Sequence, residues 1–233
     1  TMKPGELLEK DSTVNQRASG GPYLWNYTLS GKGVEEWQPQ FTYYGFRYVE
    51  VSDIEKLELV ELTGMHTTNS APEAGSFSCS LPMFNKIYEL IDWSIRSNLA
   101  SILTDCPHRE KLGWLEVAHL MQHAMQYRYQ LDGLYSKVMG DIKDSQTQEG
   151  IVPSIAPEYV RFADGFENSP EWGSAFIIIP WYVYRWYGDK SLLSAYYPYM
   201  KRYLEYLSTR ADNYIVAYGL GDWFDLGPKH PGY

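Results

Sequence analysis

The sequence predicts a mainly α-helical protein, part of an (α/α)6 barrel that is preceded by the closing strands of a β-sandwich domain. Residues 1–67 contain stretches rich in Tyr, Phe, Val and Trp between Gly/Ser/Pro clusters, which is typical of strands. From about residue 78 the apolar residues recur with a helical period. Two of the resulting helices are apolar nearly all round, as expected for the inner ring of a barrel. We therefore expect the end of a sandwich and a linker at 1–67, and the first part of a barrel at 68–233.

The first region is expected to hold three strands, at residues 22–29, 41–51 and 56–66. The first two are dense in aromatic and β-branched residues, and the third alternates Leu and Glu at its start. Strands that share one face in this way predict part of a sandwich. The opening stretch TMKPGELLEK has no apolar core of a signal peptide and reads as the interior of a longer chain, so we expect a fragment.

The second region is expected to hold five helices, too few for six helix pairs, so a partial barrel is predicted. The first helix has Pro82 in its first turn. Its apolar face comprises Met83, Ile87, Leu90, Ile91 and Ile95. The other helices are expected at residues 114–131, 131–147, 171–188 and 189–210. Residues 148–170 form an irregular loop, and a loop of that length in a compact domain usually has a function.

Composition narrows the classes of partner. Aromatic residues make up 16% of the chain, which fits either an aromatic core or platforms for stacking a sugar ring. The net charge is −9 and no basic run occurs, so a nucleic-acid partner is not expected. No segment approaches the roughly 18 apolar residues that span a membrane. Cys79 and Cys106 are expected to be small buried residues, although a single bridge between them stays open.

One stretch, TDCPHREKLGWLE at 104–116, crowds charge, sulfur and aromatic residues together. Pro107 and Gly113 disfavour a helix, so it is predicted to be a loop between two apolar helices at one rim of the barrel. A metal site there would use Asp105, His108 and Glu110, but their spacing matches no known ligand motif. A cysteine nucleophile would need Cys106 with His108 as its base.

Two other interpretations of this stretch are open from the residues alone. Glu110 is a candidate acid, because an apolar wall such as Trp114 helps a carboxyl group to retain its proton. The stretch is equally well explained as a loop closed by surface ion pairs. Those pairs would be Arg109 with Asp105 and Lys111 with Glu116.

The same stretch resembles the signature of bacterial α-L-rhamnosidases, the family 78 glycoside hydrolases, which runs approximately Asp-Cys-Pro-x-Arg-Asp/Glu-x-Leu-Gly-Trp. Further segments resemble the family in the same order and extend the resemblance over about residues 35–233. These segments are QFTYYGFRYVEV, FSCSLPMFNKIYELIDWSIRSNLASIL, PEWGSAFIIIPW and YGLGDWFDLG.

The resemblance implies an (α/α)6 barrel that hydrolyses terminal α-L-rhamnosides with inversion, with a carbohydrate as its partner and no cofactor. Glu110 matches the general acid, Asp105 and Arg109 match residues that hold rhamnose hydroxyls, and Trp114 matches a pocket aromatic. The further substrate-binding candidates are Trp172, Trp223 and Asp222.

The sequence departs from the family in two places. Val117 stands where many members have an acidic residue, and Glu116 is one position away, about 100° around a helix. The general base of the family lies late in the barrel, and the sequence ends before it. We therefore expect an inactive fragment that needs the remainder of its own barrel.

Two other functions are carried forward: a non-catalytic carbohydrate-binding protein, and an α/α-barrel glycosidase or lyase for another sugar. Rhamnosides occur in plant and bacterial polysaccharides, so a periplasmic or secreted location suits this chemistry, while the sequence itself leaves the location open.

Overall fold

A computed structural model describes residues 1–53 and 58–221, a small β region followed by a larger helical one. The strands are β1 Met2–Gly5, β2 Leu7–Leu8, β3 Val14–Asn15, β4 Tyr48–Val51, β5 Ala211–Asp212 and β6 Ile215–Val216. The helices are α1 Pro82–Ser97, α2 Leu115–Leu120, α3 Gln122–Met125, α4 Asp132–Ser145, α5 Pro170–Gly173, α6 Ala175–Tyr187 and α7 Ser191–Arg210. Single 3-10 turns cover Arg17–Ser19 and Asp164–Phe166. No helix in this described part is long and apolar enough to cross a membrane.

The β region is built differently from the prediction. β1 pairs antiparallel with β4 in the register Met2–Val51 to Gly5–Tyr48, so the strand expected at 41–51 is confirmed only over its last four residues. The strand expected at 22–29 is wrong, since only Trp25 forms a bridge there, with Met2. Residues 58–66 form no strand, and 56–57 lie outside the described residues. Aromatic and β-branched residues favour extended backbone, but a strand also requires a partner at the right register.

The segment after residue 20 is held by the side chain of a buried glutamine, Gln16, instead of by hydrogen bonds to a neighbouring strand. The Gln16 side chain donates to the carbonyl oxygens of Pro4 and Tyr23 at 2.5 and 2.9 Å, and it accepts from the Tyr23 N–H at 2.9 Å. The residue is 8% exposed, so its amide satisfies backbone groups that would otherwise be buried without partners. Tyr23 is thereby fixed beside the motif loop.

The helices expected from periodicity are largely confirmed. α4 buries Leu134, Val138 and Ile142 on one face, as predicted. The segment expected as one helix over 114–131 instead contains the short helices α2 and α3, which meet at Met121. The fourth expected helix breaks at Ser174, whereas Pro180 lies within the continuous α6. α6 packs against α2, α4 and α7, so the core lies around this helix.

The apolar face that the sequence predicts for α1 is exposed over most of its length. Ile95 is buried, but Met83, Ile87, Leu90 and Ile91 are exposed. Within residues 1–53 and 58–221, no other helix makes an extensive contact with α1, so this face has no packing partner along most of its length.

A charged cluster ties α1 to the segments around it. Arg128 donates to Asp92 at 2.9 Å, to Glu73 at 2.7 Å and to the Gly75 carbonyl at 3.1 Å. The Tyr129 hydroxyl also donates to Asp92, and burial together with this bond raises the pKa of Tyr129 to about 12. Burial alone would raise the pKa of Asp92, but the donors Tyr129 and Arg128 outweigh it, and the pKa lies below its usual value.

Asp92→Asn is expected to lower the free energy of unfolding at pH 7 by about 1–3 kcal/mol, because two buried donors lose a charged acceptor. The pKa of Asp92 is lower in the folded than in the unfolded chain, so this stabilisation is present above the unfolded value of about 3.9. It is lost as the pH falls through the folded value. Urea unfolding at pH 7 and near pH 3 should show the gap between wild type and variant closing in acid. Exposed Asp144→Asn serves as the control, and an equal gap at both pH values would contradict this role.

Candidate active site

The motif residues lie in an irregular loop between α1 and α2, as predicted. The Asp105 N–H donates to the Leu112 carbonyl and the Leu112 N–H donates to Asp105 Oδ1, both at 3.3 Å. Buried Cys106 accepts from the Glu110 N–H through Sγ at 3.3 Å. These contacts close the loop on itself and turn the Arg109 and Glu110 side chains outward, where both are exposed.

The central polar contact joins Glu110 and Trp114. The Trp114 indole Nε1–H donates to Glu110 Oε2 at 2.9 Å. Trp114 immediately precedes α2, so the start of a helix fixes the donor while the loop supplies the acceptor. The hydrogen bond therefore orients one oxygen of an otherwise accessible carboxyl group.

Trp114 belongs to a cluster of aromatic rings. Phe162 stacks on it at 5.1 Å between ring centroids, with Trp172 at 5.9 Å and Phe166 at 6.2 Å. The structure thus brings Trp172 next to Trp114. Residues 148–170 contribute the two phenylalanines, which sequence reasoning missed, although the length of that loop had indicated a function. Glu110 therefore lies at the edge of an apolar wall.

Backbone pairing holds the long loop against the motif. The Leu115 N–H donates to Ser154 and the Ala156 N–H to Gly113, at 3.0 and 3.1 Å, around a bridge between Trp114 and Ile155. A Cβ atom on Gly113 would lie 2.6 Å from the Ala156 carbonyl oxygen. The close approach of these two segments therefore requires glycine at position 113.

The β region forms the other side of the loop. The Gly45 N–H donates to the Pro107 carbonyl at 2.9 Å, and a Cβ on Gly45 would lie 2.6 Å from the Pro107 ring. The Tyr23 hydroxyl donates to the Arg109 carbonyl at 3.3 Å. His108 faces Glu6, with Nε2 3.5 Å from the carboxylate. The loop is thus enclosed by both regions of the chain.

The ion pairs expected within the loop are not those that the described residues form. Lys111 Nζ donates to the Tyr43 carbonyl at 2.7 Å instead of pairing with Glu116. Asp105 accepts from the Leu112 backbone instead of from Arg109. The interpretation of the stretch as a salt-bridged surface loop is therefore wrong.

The remaining alternatives gain no geometric support. His108 points to Glu6, away from Cys106 as a candidate nucleophile. In residues 1–53 and 58–221 no group of three or more His, Cys, Asp or Glu side chains could hold a metal ion. Both cysteines are free, and Cys79 is exposed rather than buried, so the bridge to Cys106 is not formed.

A second anchor lies at the start of α5. Buried Ser169 Oγ accepts from the Leu220 N–H at 2.8 Å and donates to Glu171, which accepts from the Gly221 N–H at 2.9 Å. This anchor holds residues 219–221 against Ser169, Pro170 and Glu171, the residues that directly precede Trp172. The candidates Asp222 and Trp223 follow directly but lie outside the described residues.

Comparison with protein families identifies the two regions. Residues 72–233 match the bacterial α-L-rhamnosidase six-hairpin glycosidase domain, and residues 1–68 match the bacterial α-L-rhamnosidase concanavalin-like domain. The chain belongs to the bacterial α-L-rhamnosidase family. The fold class expected from the sequence, a partial (α/α)6 barrel with preceding strands, is confirmed by this match.

Individual members of the α-L-rhamnosidase family cover the chain almost completely. An α-L-rhamnosidase of Formosa agariphila is 35% identical over 88% of this chain and 23% of its own length. Another, from Streptomyces avermitilis, is 33% identical over 99% of this chain and 22% of its own. The chain therefore spans about a quarter of the length of the curated relatives it matches.

Solved α-L-rhamnosidase structures share the fold. The enzyme from Dictyoglumus thermophilum superposes with a TM-score of 0.81 at 33% identity, over 99% of this chain and 26% of that one. The Streptomyces avermitilis enzyme, solved in complex with L-rhamnose, gives 0.81 at 30% identity over 99% and 22%.

Gly113→Ala is expected to lower the free energy of unfolding by about 1–3 kcal/mol, because the added methyl group forces the paired segments apart. Gly133→Ala is the matched control, since nothing lies within 4 Å of its Cβ position in α4. Chemical denaturation of both variants measures the difference. Equal stability of the two variants would show that the close approach at Gly113 is unimportant.

Ser169→Ala is expected to lower the free energy of unfolding by about 1–3 kcal/mol, because the buried Leu220 N–H loses its acceptor. Hydrogen exchange measures the local effect: relative to the wild type, the variant should exchange faster at the Leu220 and Gly221 amides, and this increase should exceed that at other amides. Ser194→Ala on the exposed side of α7 is the control. Unchanged protection at Leu220 would contradict the proposed anchor.

Proposed function

We propose that this chain forms part of a glycoside hydrolase that removes terminal α-L-rhamnose from glycosides or polysaccharides, with inversion. One observation carries the assignment of the acid: the Trp114 indole N–H donates to Glu110 Oε2 at 2.9 Å, beside a wall of stacked aromatic rings. The indole engages only Oε2, so the other oxygen of the carboxyl group is left without this partner. Glu110 is therefore oriented to protonate the glycosidic oxygen of the departing group.

The surrounding residues suit a sugar ring. Trp114 is partly exposed and provides apolar surface of the kind that packs against the faces of sugars. Trp172 is only 4% exposed, so we assign it the role of supporting the Trp114 ring from within the core. We assign rhamnose hydroxyls to Asp105 and Arg109, because both lie in the loop that carries Glu110, Asp105 partly buried and Arg109 exposed. We assign contacts with the sugar to Trp223 and Asp222 as well, because the segment that leads to them is bound to Ser169 and Glu171 at the start of α5.

The general base is assigned to a segment that this chain does not contain. An inverting enzyme needs a second carboxylate roughly 6.5–9.5 Å from the acid, with room for a water molecule between them. The chain corresponds to about a quarter of its curated relatives, which leaves most of the family's length for the base. We further propose that residues 1–67 end a sandwich domain and that residues 68–233 begin the catalytic barrel, a division close to that of the two family models.

One residue, Val117, bears on which sugar the enzyme accepts. Val117 packs against the core at the start of α2, where many members have an acidic residue. This observation favours, as a second candidate, an α/α-barrel glycosidase for another sugar. Rates on a panel of aryl glycosides distinguish the two, since a preference for any sugar over rhamnose contradicts the first.

Glu110→Gln is expected to lower kcat on alkyl rhamnosides by about 10²–10⁴-fold, the usual contribution of a general acid. The assay uses the 233 residues continued through the rest of their reading frame, with the 233-residue chain alongside. Rhamnosides of strongly acidic phenols should lose far less activity, because such leaving groups depart without protonation. Proton NMR of the first product should show the β anomer.

Glu205→Gln on the exposed face of α7 is the matched control and should leave kcat unchanged. Full activity of Glu110→Gln on alkyl rhamnosides would contradict the acid assignment. Strong activity of the 233-residue chain alone would contradict the placement of the base, and sugar binding without turnover in the longer protein would favour a binding protein.

A further inference from the structure

The side chain of Lys111 lies in a cage of three tyrosine rings from the β region. Its Nζ is 5.3 Å from the ring centre of Tyr23, 5.0 Å from Tyr43 and 5.3 Å from Tyr44. It also donates to the Tyr43 carbonyl oxygen at 2.7 Å. Ring faces and a carbonyl group attract an ammonium ion, and this attraction offsets the cost of burying its charge. Burial lowers the pKa of Lys111, in keeping with such an enclosed position.

The backbone on both sides of Glu110 is held by tyrosine hydroxyls. Tyr23 donates to the Arg109 carbonyl at 3.3 Å, and Tyr159 from the long loop donates to the Lys111 carbonyl at 2.8 Å. Lys111 itself has a φ of +55°, a left-handed conformation that non-glycine residues seldom adopt. Such a conformation persists only where the surrounding contacts impose it.

The left-handed backbone sends two consecutive side chains to different partners. Glu110 meets the Trp114 indole at the start of α2, while Lys111 meets tyrosines of the β region. Freeing Lys111 would let the backbone relax toward ordinary φ values, and Glu110 would turn with it. The orientation of the Glu110 carboxyl group therefore depends on the contact between Lys111 and the tyrosines of the β region.

We infer that Lys111 is a positioning residue, which fixes the Glu110 carboxyl group against the Trp114 indole by anchoring the loop to the tyrosines of the β region. The catalytic meaning of this inference rests on the proposed function. The geometric part, the orientation of Glu110, does not.

The test measures the indole N–H resonance of Trp114 by ¹H–¹⁵N NMR in the 233-residue chain, assigned by its loss in Trp114→Phe. In the wild type this resonance should shift when Glu110 is protonated, and Glu110→Gln should abolish that response. Lys111→Met should displace the resonance and weaken its pH response, whereas Lys111→Arg, which keeps a cation over the rings, should restore both. Lys143→Met is the control, because Lys143 also lies over a tyrosine, Tyr199, but away from the site.

Tyr159→Phe provides a second variant, since Tyr159 is exposed and its loss removes only one hydrogen bond to the Lys111 carbonyl. It should displace the Trp114 resonance in the same direction as Lys111→Met, and it carries the test if Lys111→Met does not fold. An unchanged Trp114 resonance in folded Lys111→Met, or in Tyr159→Phe, would overturn the inference, whatever the loss of stability.

Kinetics in the longer protein separate this inference from the proposed function. Lys111→Met should lower kcat on alkyl rhamnosides by about 10–100-fold with KM nearly unchanged, as expected when a reacting group is displaced. If KM rises and kcat stays constant, the inference is overturned. If Glu110→Gln is fully active while the Trp114 resonance still responds to Lys111→Met, the proposed function fails and the positioning of Glu110 stands.

Discussion

The backbone pairing of residues 113–115 with 154–156 is the contact on which the candidate site depends. It joins the motif loop to the long loop, and it does so at the residue that begins the wall, Trp114. The pairing brings the long loop alongside Trp114, and Phe162 and Phe166 of this loop pack against the Trp114 ring. The requirement for glycine at 113 arises at the same contact, since a Cβ atom there would meet the Ala156 carbonyl oxygen and the Ile102 side chain.

The fold could be predicted from sequence where the structure is decided locally. The burial of Leu134, Val138 and Ile142 in α4 follows from helical periodicity alone. The absence of a strand at 22–29 could not be predicted. Residues of high strand propensity favour extended backbone, but here the Gln16 side chain, and not a neighbouring strand, bonds the backbone of Tyr23. No glycine or proline marks the division between α2 and α3 at Met121. The apolar periodicity therefore predicted one continuous helix across this point.

The candidate site was predictable to a similar extent, and for the same reason. Glu110 and Trp114 are four residues apart, so their proximity could be expected from the motif, and the hydrogen bond between them agrees with it. Phe162 lies 48 positions beyond Trp114, and no local pattern connects them. The interpretation of Lys111 as half of a surface ion pair was wrong because its actual partners, the tyrosines of the β region, are distant in sequence.

The contact between Gly45 and Pro107 also bears on how such proteins diversify. Domains linked by open connections are exchanged freely by recombination, each retaining its own activity. Here the β region contacts the loop that carries Glu110 directly, and a side chain at Gly45 would clash with the Pro107 ring. A crossover that replaced the β region alone would have to bring a glycine at position 45, opposite the retained Pro107. The β region and the helical region are therefore expected to be inherited as one unit, and chimeras should be joined outside the Gly45–Pro107 pair rather than between these two residues.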